Sequence, residues 1–189
     1  MESFVDRIVA ATTWHRSREG SPRVPTDLPA DYRAILERLG PGEGFIGTDN
    51  YVRLYPPEAL ASLNEQYGFP EFLPGLFLFG SNGCGEAYAF DSTDGGSIVK
   101  TAFVPLDREY GARVASTLRE LLEGFASSGP PRYRLNAATI GLEMEFKHPI
   151  ALGGSPDEEN QIQVPPEKHV EIVRFWARTF QDVKRRQSN

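Results

Sequence analysis

The sequence predicts an α+β fold in which a mostly antiparallel sheet is flanked by helices. Segments with apolar residues at helical spacing alternate irregularly with short apolar runs that are bounded by turn residues. These runs are joined mainly by turns and show no regular β-α-β order, so neighbouring strands are expected to run antiparallel. The chain has 189 residues, of which 40% are hydrophobic and 24% charged, which suits one domain, or one domain with a substantial C-terminal extension.

Two helices separated by a polar loop are predicted before the first strand. Residues 1–13 favour a short helix with four apolar residues at helical spacing: Phe4, Val5, Ile8 and Val9. A polar loop follows at residues 15–26. The second helix begins near Asp27 or Pro29 and ends before Gly40, and its apolar face consists of Tyr32, Ile35, Leu36 and Leu39.

The central region is predicted to contain five strands and one helix. Two strands, at residues 45–47 and 51–55, flank a turn, and a helix starts at residues 56–58 and runs to about Gln66. A glycine-rich loop at residues 80–85 joins the next two strands. The last three predicted strands are residues 76–79, 86–90 and 97–104.

The C-terminal third is predicted to close the domain with a helix and then to form an extension. The helix at residues 112–125 has an apolar stripe of Val114, Leu118, Leu121, Leu122 and Phe125. The linker at residues 127–131 divides the chain into a domain at residues 1–126 and an extension at residues 127–189. The extension is predicted to contain a strand at residues 142–146, a long loop at 149–166 and a final helix from Pro166 to about Val183.

Charge and cysteine content restrict the possible partners. A formal net charge of −6 disfavours binding to nucleic-acid phosphates and favours basic partners. Cys84 is the single cysteine, which rules out an intrachain disulfide and a thiolate metal cluster and fits a reducing compartment. The sequence shows neither a membrane-spanning apolar run nor a signal-peptide pattern. We therefore expect a cytoplasmic protein that binds neither nucleic acid nor membranes.

Four stretches of the sequence carry a family resemblance: residues 28–32 with 39–40, residues 52–58, residues 78–91 and residues 118–125. In this order they resemble the SUKH superfamily, the family of the yeast cell-wall regulator Smi/Knr and of many bacterial immunity proteins. The resemblance covers about residues 25–126 and implies function through protein binding. Bacterial members generally neutralise polymorphic toxins encoded beside them, whereas the Smi/Knr branch is tied to cell-wall synthesis and signalling. The resemblance supplies no catalytic residue.

The candidate partner-binding residues are of two kinds. Four of them belong to the glycine-rich loop or to its end, where glycines allow a sharp turn with exposed backbone that suits contact with a partner: Asn82, Gly83, Gly85 and Glu86. The alternative is that this loop is only a hairpin turn. Glu65 and Glu71 are candidates as acidic side chains, because charged contacts set association rate and specificity.

The leading hypothesis is an immunity protein that binds a toxin, and the alternative is a regulatory scaffold in cell-wall assembly or signalling. A third hypothesis is a metal-dependent hydrolase, because residues 147–154, Asn160 and His169 loosely resemble the ββα-metal core of HNH nucleases. Lys147 stands where that core needs a second strand histidine, and a cation there repels a metal. His148 and His169 are therefore only weak metal candidates.

The ordinary interpretation of the same segment is structural. His148 and Asn160 are then expected to hold the long loop by hydrogen bonds, while His169 caps its helix or faces solvent. The sequence contains no nucleophile-elbow pattern and no phosphate-binding loop, and Cys84 has no activating histidine nearby in sequence. We therefore predict no enzymatic activity, no bound metal and no cofactor.

Overall fold

A seven-stranded antiparallel sheet forms the centre of the protein, whose computed structural model describes residues 3–17 and 28–187. Its strands are β1 (Thr12–Arg16), β2 (Gly42–Ile46), β3 (Asn50–Leu54), β4 (Leu76–Ser81), β5 (Glu86–Asp91), β6 (Ser97–Ala102) and β7 (Gly111–Ala115). A second sheet contains β8 (Glu143–Phe146) and β9 (Gln161–Val164). The helices are α1 (Phe4–Ala10), α2 (Ala30–Leu39), α3 (Leu60–Tyr67), α4 (Phe69–Phe72), α5 (Leu118–Ala126) and α6 (Pro166–Gln187). The predicted α+β class is thus confirmed.

The order of strands in the large sheet follows their order in the chain. Each strand from β2 to β7 pairs with the strand that precedes it, and all six pairings are antiparallel. Short turns join β2 to β3, β4 to β5 and β5 to β6, at the glycine-containing segments where the sequence predicts turns.

One face of the large sheet packs against α1, α2 and α5, and we call it the helical face. Leu54 pairs with Gly80 and Gly80 pairs with Tyr88, so these residues point to the same side. Phe90 lies two residues after Tyr88, and its ring packs edge-on against Tyr32 of α2 with centroids 5.6 Å apart. The apolar alternation of β5 therefore places the main core under α2.

The opposite face of the large sheet is covered by the C-terminal extension, and we call it the extension face. Arg53 and Ser81 pair across β3 and β4 one residue away from Leu54 and Gly80, so they point to this side. Both side chains hydrogen-bond to Glu143 of β8. α6 packs against α3 and β8, and the buried residues on its inner side are His169, Val173, Ala177 and Phe180.

The N-terminal helix is shorter than predicted, and a strand follows it. α1 ends at Ala10, and β1 pairs with β2 from Thr12 to Arg16, so the prediction of a helix to residue 13 and a loop from residue 15 is wrong here. Two threonines and a tryptophan at the start of β1 favour extended backbone. Residues 18–26 of the predicted loop and the predicted helix start at Asp27 lie outside the described residues.

The first half of the helix predicted at residues 112–125 is a strand instead. β7 pairs with β6, and α5 begins only at Leu118. The side chain of Thr117 accepts a hydrogen bond from the Glu120 amide (3.1 Å), and the Glu120 carboxylate accepts one from the Ser116 amide (2.7 Å). This reciprocal capping fixes the helix start, although Val114 matches the helical spacing of the apolar stripe.

The C-terminal extension follows the prediction at β8 and α6 and departs from it between them. The long loop expected at residues 149–166 contains β9, which pairs with β8. α6 begins at Pro166 as predicted and continues past Val183 to Gln187. None of the described helices combines the length and the apolar character that a membrane crossing requires.

Candidate partner-binding site

The loop between β4 and β5 is organised by the side chain of Asn82. Its Oδ1 accepts hydrogen bonds from the amides of Cys84 (2.9 Å) and Glu86 (3.1 Å), and its Nδ2 donates to Glu86 Oε2 (2.6 Å). Gly83 has a φ of 64°, and a Cβ at this position would lie 2.5 Å from the ring of Tyr51. The loop is therefore held in one conformation by its own side chains and by β3.

A groove of about 370 Å³ lies beside this loop on the helical face, and we call it the trough. The β2–β3 turn and strands β3, β5, β6 and β7 contribute one wall, and α5 contributes the other. The lining residues are Asp49, Asn50, Tyr51, Asn82, Cys84, Tyr88, Lys100, Val114, Leu121 and Phe125. Leu121 and Phe125 are four residues apart on α5, so both face the same groove. The trough therefore combines an apolar helix wall with a more polar sheet wall.

Two charged positions define the electrostatics of the trough. Lys100 Nζ lies 2.9 Å from Glu86 Oε2, so its charge is compensated at the base of the loop. Asp49 is exposed, and within residues 3–17 and 28–187 its carboxylate has no ion-pair partner. Desolvation and the nearby Glu86 raise the pKa of the Cys84 thiol, which makes it less reactive than an ordinary thiol.

The residues predicted from the sequence fall into two groups in the structure. Asn82 lines the trough, and Glu86 forms an ion pair with Lys100 of the trough lining. Gly83 and Gly85 shape the adjoining loop. The backbone of Gly85 is buried, and its carbonyl accepts from the amide of Phe103 (2.9 Å).

Glu65 and Glu71 instead lie against the C-terminal extension. Arg174 of α6 donates to the carbonyl of Glu65 (3.0 Å) and lies 3.2 Å from the carboxylate of Glu71. These two candidates contact α6, and neither lines the trough.

A buried ionic cluster joins the extension face to β8. Arg53 lies between Glu43 and Glu143, and the three side chains are only 7%, 4% and 1% exposed. Arg53 Nε donates to Glu43 Oε2 (2.7 Å), and Arg53 Nη1 donates to Glu143 Oε1 (2.5 Å). Burial acts to lower the pKa of Arg53, but Glu143, Tyr51 and Glu43 together hold it above its ordinary value. We call these three residues the Arg53 cluster.

Hydroxyl groups complete the hydrogen bonding of this cluster. Tyr55 donates to Glu143 Oε1 (3.0 Å), Ser81 donates to Glu143 Oε2 (3.2 Å), and Tyr51 donates to Glu43 Oε2 (2.5 Å). Burial raises the pKa of Tyr55 well above its ordinary value, so its hydroxyl stays protonated as a donor. Satisfied lone pairs are what allow two carboxylates to remain buried beside one guanidinium.

A second polar contact lies two residues further along β8. His169 is fully buried, its Nδ1 is 2.8 Å from the hydroxyl of Tyr67, and its Nε2 is 3.3 Å from Glu145 Oε2 without hydrogen-bond geometry. Burial raises the pKa of Tyr67, so this hydroxyl remains protonated and can donate to the ring. The expectation that His169 caps its helix or faces solvent is wrong, because α6 packs this residue against α3 and β8.

The other members of the proposed metal core have structural contacts. Asn160 Nδ2 donates to the carbonyls of His148 (2.7 Å) and Ser155 (2.7 Å), and its Oδ1 accepts from the His148 amide (2.8 Å). The ring of His148 stacks on Trp176, with centroids 6.4 Å apart. The two histidine rings thus have different neighbours. The described ranges contain no group of three or more His, Cys, Asp or Glu side chains arranged to hold a metal ion.

Sequence reasoning missed the Arg53 cluster, although one signal was present. Glu143 and Glu145 alternate with Met144 and Phe146, so both carboxylates share one face of β8. The sequence does not show that this face is the buried one. Arg53 is separated from Glu143 by 90 positions, and only the folded chain brings them together.

Comparison with protein families gives a match over more than half of the chain. A family model described as SMI1 / KNR4 family (SUKH-1) matches residues 23–124. The matched segment contains β2 to β7 and all of the trough lining except Phe125, whereas the C-terminal extension lies outside it. No curated protein matches the chain.

Proposed function

Because this chain belongs to the SMI1 / KNR4 family (SUKH-1), we propose that it acts by binding a partner protein and that this partner is a toxin which it neutralises. The observation that carries the proposal is the trough beside the Asn82 loop, whose lining, except for Phe125, belongs to the segment that matches the family. A concave surface with an apolar wall and a few polar groups is the usual form of a specific binding site.

The loop is suited to binding because it is already ordered. Asn82 accepts hydrogen bonds from the amides of Cys84 and Glu86, so the loop loses little conformational freedom when a partner docks. Gly83 and Glu86 then present backbone and a carboxylate beside the trough, while the buried Gly85 shapes the loop.

Acidic side chains are proposed to guide the encounter. The net charge of −6 attracts a basic toxin surface, and the exposed Glu65 is proposed to add to this field, as is Glu71, whose charge Arg174 partly compensates. Contacts of this kind raise the association rate more than they raise the affinity. We place the encounter in the cytoplasm, where the exposed Cys84 remains reduced.

One observation favours the alternative of a regulatory scaffold. α6 presents Phe175, which is 62% exposed, next to the partly exposed Trp176, with ring centroids 5.1 Å apart. Aromatic residues of this kind often anchor interfaces. A second binding surface on the extension would let the protein join two partners, as a scaffold in cell-wall assembly or signalling requires.

Partner capture tests the proposed function. The tagged full-length chain is incubated with lysate of its own organism, and bound proteins are identified by mass spectrometry. A single toxin-domain protein in equimolar amount, whose growth inhibition is relieved on coexpression, supports immunity. Capture of cell-wall or signalling proteins instead supports the scaffold. An experiment in which no protein is captured contradicts both hypotheses.

Charge-reversal variants locate the contact within the same experiment. We expect Glu86→Lys to weaken capture at least tenfold, because it reverses charge at the loop. Glu65→Lys and Glu71→Lys are expected to slow association. Glu167→Lys, at an exposed position in the first turn of α6, is the matched control and leaves capture unchanged.

A further inference from the structure

The trough has the length and volume for a narrow, extended ligand. Its lining crosses from β3 to β7, which are four strand spacings apart, so it is roughly 19 Å long. A helix about 10 Å wide and equally long fills roughly 1,500 Å³, four times the volume of the trough. A volume of about 370 Å³ instead admits a few side chains from a segment that lies across the strand ends.

The two ends of the trough differ in chemistry. Asp49 and Phe125 lie at the end formed by the β2–β3 turn, since the backbone carbonyl of Phe125 packs against Gly47 of that turn. Val114, at the other end, belongs to the edge strand β7 and is 38% exposed. Between them the lining includes Leu121 on α5 and Tyr88 on the sheet.

The charge that the trough leaves uncompensated is negative. Lys100 is neutralised by Glu86, whereas Asp49 has no ion-pair partner in the described part of the chain. A lysine or arginine at this end has a carboxylate for its cation and the ring of Phe125 for its methylene stem. The opposite end offers only apolar surface at Val114.

We propose that the trough binds an extended segment of a partner protein, with a basic residue at Asp49 and a large apolar residue at Val114 and Leu121. In an extended segment, side chains on one side are roughly 7 Å apart, so anchors at the two ends of a trough roughly 19 Å long are about six positions apart, with two side chains of the same side between them. This inference rests on the proposed function, because it names the kind of segment through which a partner is recognised.

A random dodecapeptide library displayed on phage, selected against the full-length chain, tests this inference. We expect enriched peptides to contain Lys or Arg about six positions from Phe, Leu, Ile or Trp. Selected peptides are then synthesised with a fluorescein label and titrated by anisotropy. Asp49→Lys and Val114→Asp, both at exposed positions, are expected to weaken binding at least tenfold. Asp182→Lys, an equal change of charge on α6, is expected to leave it unchanged.

A charge exchange gives the most specific readout. Replacing the basic residue of the peptide by Glu is expected to weaken binding to the natural chain and to restore binding to Asp49→Lys. Enrichment of acidic peptides, enrichment of apolar residues at helical spacing, equal binding by all variants, or no enrichment each overturns the inference.

The same variants separate this inference from the proposed function. If a partner is captured from lysate and Asp49→Lys and Val114→Asp capture it equally well, protein binding stands and the trough is not its site. If selected peptides bind as expected but lysate yields no partner, the trough binds peptides and the proposed function fails.

Discussion

Arg53 Nη1 on β3 lies 2.5 Å from Glu143 Oε1 on β8, and both side chains are almost completely removed from solvent. This contact joins the segment that defines the family to an extension outside it. A buried ion pair contributes little net stability compared with apolar residues of the same shape, but it is costly to break. We therefore expect the contact to select which strand of the extension packs on the sheet and in which register.

Removing the guanidinium tests this role. We expect Arg53→Met to lower the free energy of unfolding by about 3–5 kcal/mol, because Glu43 and Glu143 remain buried without a counter-charge. Urea unfolding followed by tryptophan fluorescence measures the change. Adding Glu43→Gln and Glu143→Gln is expected to recover part of the loss. Arg113→Met, whose side chain is 54% exposed in its pair with Asp94, changes stability by less than about 1 kcal/mol, and an equal loss in both variants contradicts the interpretation.

The hydrogen bond between Tyr67 and His169 makes a second stability prediction. Tyr67→Phe leaves the buried Nδ1 of His169 without a partner, so we expect a loss of about 1–3 kcal/mol in unfolding free energy. Tyr110→Phe is the matched control, since the ring of Tyr110 also packs on α6, at Phe180, but Tyr110 is 43% exposed. If both variants unfold at the same urea concentration, this hydrogen bond does not hold α6 in place.

Stability is expected to depend on pH through Asp107. Burial acts to raise the pKa of Asp107, but hydrogen bonds from Lys184 and the Glu109 amide bring it below the ordinary value of 3.8. The folded-state pKa is thus lower than the unfolded one, so the carboxylate stabilises the fold above about pH 4 and loses this effect as pH falls through the folded-state pKa. We expect Asp107→Asn to flatten the decline of Tm between about pH 5 and pH 2. Asp182→Asn is the control, and identical slopes for both variants exclude this linkage.

The ordered loop makes a prediction that does not depend on any partner. We expect Asn82→Ala to speed amide hydrogen exchange at Cys84 and Glu86 at least tenfold, because both amides lose their acceptor. Global stability falls by only about 1 kcal/mol. Asn136→Ala, which removes a similar acceptor from the Ala138 amide in the turn before β8, leaves exchange in the loop unchanged. Unchanged exchange in Asn82→Ala shows that the loop is ordered by something else.

The spacing of apolar residues and the turn residues between them predict much of the observed fold. α2, α6 and strands β3 to β6 lie close to their predicted positions, because their apolar spacing and flanking turn residues agree. β7 was not predicted, because Val114 fits the apolar stripe of the predicted helix. In the structure, capping by Thr117 sets the start of α5 at Leu118. β9 has only four residues, and its pairing with β8 identifies it as a strand. The division of the chain at residue 126 stays a prediction.

The candidate site was only partly predictable, because it combines a local loop with residues that are distant in the sequence. The Asn82 loop is local, and its glycines and asparagine are visible in the sequence. The trough needs five strands and one helix in place, and Asp49 and Val114 have no sequence signal that links them. His169 was expected at the surface because the sequence does not show which face of α6 meets α3.

The chain-ordered sheet has a consequence for synthesis on the ribosome. Every strand from β2 to β7 leaves the ribosome directly after the preceding strand, with which it pairs, so the sheet can assemble progressively. Glu143 is made 90 residues after Arg53, which corresponds to roughly 5–18 seconds of translation. During this interval the nascent sheet exposes Arg53 and Ser81, together with the adjoining Tyr55, on a face that is buried in the finished protein. We therefore expect the nascent chain to be most prone to aggregation before β8 has packed on the sheet.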